Sequence, residues 1–117
     1  MVLVDTSVWV EHIRNGLPEL EGLLRLGNVV IHELVMMELS LWTPPNREIF
    51  LADLSALPYA KLTLTPKMID SYALYGRGCG YVDSTLFITA LFHEYTLWTL
   101  DKRLNALAKE YEIDFEA

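Results

Sequence analysis

The stretch MVLVDTSVWVEHIRNG, residues 1–16, decides the fold. Three consecutive apolar residues at 2–4 show no polar alternation, which is the pattern of a strand buried in a sheet. Asp5 ends the run, residues 6–14 take up a helical pattern, and Asn15-Gly16 breaks it. A short buried strand passing at once into a helix is the unit from which parallel sheets with helices on both faces are built.

The unit recurs along the chain. A helix at 19–26 and the turn Gly27-Asn28 lead to a strand at 29–31 and a helix at 33–42 that stops before Pro44-Pro45. Another helix covers 47–57, Pro58 leads to a strand at 60–64, and Pro66 suits the first turn of a helix reaching 75. Gly76, Gly78 and Gly80 mark a loop. A helix at 82–94, a strand at 96–99, a helix at 102–110 and a last strand at 113–115 follow. The expectation is an α/β fold in one domain, 1–117, with a parallel sheet covered on both faces. Right-handed crossovers then bring every strand-to-helix turn to one edge of the sheet, where such folds bind ligands.

Composition narrows the choice. Of the 117 residues, 52% are hydrophobic, enough for a real core and too many for a disordered chain. The apolar share is high for so small a domain, which favours burial of some of it against another chain. No apolar run approaches the ~18–20 residues that span a bilayer, and Asp5 interrupts any leader-like start, so a cytoplasmic protein with no membrane role is expected. A single cysteine, Cys79, excludes an internal disulfide and a multi-cysteine zinc site.

Four acids fall where that sheet edge should be. Asp5 ends the first strand, Asp101 follows the strand at 96–99, Asp83 opens the helix after the glycine-rich loop, and Glu38 lies just over a turn into the helix at 33–42. Hard oxygen donors gathered there suit Mg2+ or Mn2+. Each Asp also sits where a helix N-cap belongs, and capping alone would account for any one of them. Helical spacing puts Glu38 on a stripe with Leu34, Val35, Leu41 and Trp42, and Asp83 on a face with Leu86, Phe87 and Ala90. Both are therefore expected to point inward, where a carboxylate without a partner is costly. Glu33 starts its helix and is an ordinary first-turn acid.

LVDTSVW (3–9), VVIHELVMMEL (29–39), GRGCGYVDSTLFITA (76–90) and LWTLDKRL (97–104) resemble, in order, the four acidic motifs of PIN domains. The similarity is to the VapC-like toxins of bacterial toxin–antitoxin pairs, and it covers nearly the whole chain. It implies a three-layer α/β/α sandwich on a central parallel sheet, usually dimeric, with Mg2+-dependent endoribonuclease activity. Asp5, Glu38, Asp83 and Asp101 match the family's metal-binding acids, with one or two Mg2+ or Mn2+ ions among them. Ser7 and Thr99 match the hydroxyl positions beside the first and fourth acids. Met37 stands where a smaller residue is expected, and Glu33 adds an acid near the site. An RNA substrate and a cognate antitoxin are implied as partners, and a homodimer as the assembly.

The formal charge of −7 is awkward for an RNA-binding protein, although −3 remains once the four acids are set aside. Phosphates would then rest on local cations: Arg77 in the glycine-rich loop, Lys102 and Arg103 after Asp101, and Arg14 on the first helix. Tyr81 could stack a base, though a half-buried core position suits it better. His12, His32 and His93 are scattered, with no ligand role. Among rivals, a haloacid-type phosphatase would need a second Asp at Ser7 and a receiver domain an acidic pair at Leu3-Val4, and no P-loop occurs. The strongest rival is a catalytically silent PIN-like module that acts by binding a partner.

Overall fold

The computed structural model describes residues 1–116; Ala117, the last residue of the expected domain, lies outside the described residues. The chain runs β1 (Val2–Val4), α1 (Thr6–Asn15), α2 (Pro18–Arg25), β2 (Val29–His32), α3 (Glu33–Ser40), α4 (Arg47–Ser55), β3 (Tyr59–Ala60), α5 (Pro66–Ser71), α6 (Tyr81–His93), β4 (Thr96–Trp98) and α7 (Lys102–Glu110). The strands form one parallel sheet in the order β3-β2-β1-β4, so the fold is the expected α/β/α sandwich. The two central strands are buried along their whole length, which is why they read as unbroken apolar runs. Leu3 stacks in register with Val30 on one side and Leu97 on the other. Around the sheet, Val8, Leu20, Val35, Leu39, Phe87, Leu104 and Leu107 are sealed from solvent and tie the helices to it.

Three elements differ from the sequence expectation, each for a local reason. The strand expected at 60–64 is reduced to Tyr59–Ala60. Its partner β2 pairs only through Ile31 and His32, and the chain then turns into α3, so the ladder has nothing further to pair with. The strand expected at 113–115 is a single parallel bridge, Leu97 to Asp114, closed by hydrogen bonds from Leu97 N–H to Ile113 O and from Phe115 N–H to Leu97 O. The helix expected to reach 75 stops at Ser71. There Ala73 adopts a left-handed conformation (φ 48°) and Leu74 N–H returns to Ile69 O, a Schellman-type stop without glycine.

Helix α6 is the longest element, and no helix among the described residues is long and apolar enough to cross a membrane. Its residues Ser84–Ala90 are all buried, which places it in a full layer against the sheet. One buried polar link joins it to β2. His32, fully buried, accepts the Leu34 N–H at Nδ1 (3.0 Å), which caps α3, and its Nε2 meets Thr89 Oγ1 at 3.1 Å. With Nδ1 accepting, the proton sits on Nε2. Thr89 in turn donates to Thr85 O, so every partner in the chain is satisfied. Burial holds the His32 imidazole below its usual pKa, against a smaller raising effect from Glu33. Both of its ring nitrogens are thus engaged within the protein. Its capping and core-linking role was missed in the sequence, although a His between a buried strand and a helix is itself the signal.

Candidate active site

The carboxyl ends of β1 and β4 lie side by side, and the site begins there. Asp5 follows β1 in an extended conformation (φ −71°, ψ 155°), and its backbone N–H bonds to Trp98 O across the sheet. Its carboxylate is only 6% exposed and is held by three donors. Oδ1 accepts the Thr6 N–H (2.8 Å), while Oδ2 accepts the hydroxyls of Ser7 (2.7 Å) and Thr99 (2.8 Å). Those hydroxyls are held in their turn: Ser7 Oγ accepts the Leu100 N–H (3.1 Å) and Thr99 Oγ1 the Asp101 N–H (3.0 Å). Ser7 and Thr99 thus both donate to the Asp5 carboxylate. They lock the two strand ends into one rigid corner. Capping and site building are the same act for Asp5.

Asp101 caps α7, with Oδ1 accepting the Leu104 N–H at 2.9 Å, and is exposed. Glu38 corrects the sequence reading. It is exposed, as are Met37 (58%) and Leu41 (88%), while the buried face of α3 is Val35 and Leu39. Buried positions one helical turn apart suffice for so short a helix at the sheet edge, so the wider stripe does not exist. Glu38 still meets the site: its Oε1 accepts the Thr6 hydroxyl at 2.6 Å, on the residue next to Asp5.

Asp83, in the first turn of α6, is half-buried and has no comparable clamp. Its pKa is raised to about 6, first by burial and then by the charges of Asp5, Asp101 and Glu38 in that order. Every influence acts in one direction. Asp83 thus lies within electrostatic reach of the other three acids, and Glu33 is not among them; it bears instead on Tyr59, whose phenol pKa is raised by burial and then by that charge.

Such a set is frustrated without a cation. Among the described residues no three His, Cys, Asp or Glu side chains converge as a ready-made metal cluster. Magnesium ordinarily takes one or two carboxylates directly and keeps several waters, so this hard-oxygen donor set fits such an ion without a closed cage.

The cations divide. Lys102 and Arg103 start α7 beside Asp101. Arg103 lies across the glycine-rich loop: a Cβ on Gly78 (φ 78°) would stand 2.7 Å from its Nη1 and 2.8 Å from its Cδ, so only glycine fits there without displacing it. Arg77 is committed elsewhere, in an ion pair with Glu110 at the far end of α7. Arg14 is at the C-terminal end of α1, some ~13 Å of helix from Asp5. Even so, Arg77 bears on Cys79 together with Asp83, Asp101 and Arg103, whereas Arg14 stands at the opposite end of α1 from Asp5.

No protein-family model matches the chain. Ribonuclease VapC32 of Mycobacterium tuberculosis is 39% identical over 114 residues, covering 94% of this chain and 92% of that protein, in both strains CDC 1551 and H37Rv. The crystal structure of PAE2754 from Pyrobaculum aerophilum superposes with a TM-score of 0.59 at 14% identity, over 91% of this chain and 78% of that one, a likeness of fold.

Proposed function

Because the chain belongs to the VapC-like ribonucleases with a PIN-domain fold, we propose that it is a Mg2+- or Mn2+-dependent endoribonuclease whose chemistry rests on Asp5, Glu38, Asp83 and Asp101. The observation that carries the reading is the Asp83 carboxyl, raised to about 6 by burial and by the other three acids. Perturbed acids gathered at a sheet edge are a recurrent mark of catalysis.

Asp5 and Asp83 would hold the first ion, with Asp101 and Glu38 completing its water shell or holding a second. Bound there, one or two such ions supply counter-charge for the phosphate and lower the pKa of water. Asp5 offers a fixed anchor, since its three donors leave its carboxylate no freedom to swing. Glu38, tethered to Thr6, faces solvent, where an attacking water would be oriented. Lys102 and Arg103 carry the RNA phosphates on either side of the scissile bond. Water adds to phosphorus, the bond to the 3′-oxygen breaks, and that oxygen leaves with a proton. No protein nucleophile and no 2′-hydroxyl attack is involved.

The same reading makes the protein the toxin of a toxin–antitoxin pair. It works in the cytoplasm as a homodimer and is held by a small cognate antitoxin over the acids. The test is cleavage of end-labelled RNA with EDTA, Mg2+ or Mn2+ by wild type and Asp83→Asn. Metal-dependent products bearing 5′-phosphate and 3′-hydroxyl ends, lost in the variant, are expected. Recovery of 2′,3′-cyclic phosphate ends, or equal cleavage in EDTA, would overturn it.

A further inference from the structure

Resting on that nuclease reading, we propose that a cavity beside the acids is a seat for one unpaired nucleobase of the RNA, stacked on Tyr75 and Tyr81. The cavity, about 310 Å3, lies between the glycine-rich loop, α5 and the start of α6. Leu64, Leu74, Cys79 and Ser84 line it together with the two tyrosines. Its size is at the low end of the ~300–1,000 Å3 of small-ligand sites and has room for one flat ring.

Three features point to a base. No charged side chain lines the cavity, so it suits the neutral part of a nucleotide and not its phosphate. Tyr75 and Tyr81 are 67% and 59% exposed, which leaves their rings free to stack, against the expectation that Tyr81 is half-buried in the core. Position settles the third. Gly80, Tyr81 and Ser84 share the first turn of α6 with Asp83, so the cavity opens beside the acids. A strand of RNA with its phosphate at Asp83 has a base within reach of Tyr81. Ser84, itself 6% exposed, adds a hydroxyl able to read a base edge.

The proposal also answers the charge problem. At −7, with nine Lys and Arg in all, this protein has little long-range attraction for RNA. Stacking does not depend on charge and recognises single strands with splayed bases, as sequence-selective RNA binders commonly do.

The experiment walks 2-aminopurine along a short single-stranded RNA and reads fluorescence on binding and cleavage in the same tubes. One position should quench, and binding should weaken roughly tenfold in Tyr81→Ala or Tyr75→Ala while Tyr81→Phe keeps both quench and affinity. Both tyrosines are exposed, so these variants should fold. Cleavage with no quenched position, or a quench that survives the double Ala variant, overturns the base seat and leaves the nuclease reading standing. A tyrosine-dependent quench with no cleavage under any metal supports the seat and removes the nuclease reading. No binding at all sinks the seat.

Discussion

Asp5 and Asp83 meet over the same sheet edge and are held in opposite ways. Asp5 is nearly buried yet surrounded by three donors, two of them anchored in turn to the loop after β4. Asp83 is more open, and burial together with its acidic neighbours pushes its carboxyl up to about 6. Depth alone therefore does not decide how firmly a carboxylate is held; the donors around it do. One half of the site is a finished piece of structure, while the other holds unrelieved repulsion that a cation would relieve.

Removing the finished half should cost most. Asp5→Ala strands the Ser7 and Thr99 hydroxyls and the Thr6 N–H, and it deletes a helix cap. A loss of about 3 kcal/mol is expected in urea unfolding, along with all cleavage. A loss under 1 kcal/mol would mean the corner is held by packing instead.

The frustrated half should respond with the opposite sign. The folded-state pKa of Asp83, about 6, lies above its ordinary 3.8, so its contribution to stability is intact below that lower value and is lost as pH rises through 6. In EDTA at pH 8, Asp83→Asn should be more stable than wild type by about 1–2 kcal/mol, after discounting the full shift for solvent screening. Below about pH 4 the gap should close. His32 pulls the other way, since its lowered pKa gives stability that is lost as pH falls below ~6.5, so the variants are compared at each pH. Adding Mn2+ should favour wild type, by about 2.7 kcal/mol at 100 times its dissociation constant, and the variant much less. If the variant gains nothing in EDTA, the four acids do not repel as proposed.

The smallest change sharpens the contrast. Thr99→Val removes one donor from Asp5 and should cost about 1 kcal/mol in chemical unfolding. An unchanged stability would show that Ser7 and Thr6 suffice.

How much of this could be read beforehand follows the same division. Strands β1 and β2 were legible because a central parallel strand must be apolar on both faces, and β4 because Leu97 and Trp98 are buried as well. Asp5, Asp83 and Asp101 stood out in the sequence because each follows a strand or opens a helix, whereas Glu38 lies inside α3. Glu38 was put on the wrong face because Leu41 and Trp42 look like core, yet Leu41 is 88% exposed. Periodicity over eight residues cannot tell which side a short helix turns to the sheet. The end of α5 escaped because Ala73, not glycine, takes the left-handed turn. Arg77 was chosen by charge and loop position, which say nothing of its ion pair with Glu110. Tyr75 went unnoticed because an exposed aromatic in a loop has no sequence pattern.

The Thr99–Asp5 hydrogen bond joins residues 94 apart, and β1 lies between β2 and β4. A ribosome adding ~5–20 residues per second makes Asp5 roughly 5–20 s before Thr99. Until then the first strand has only one neighbour, and its carboxylate lacks the clamp that gives it direction. The acid corner is thus assembled only once the first and fourth strands have both been made and paired.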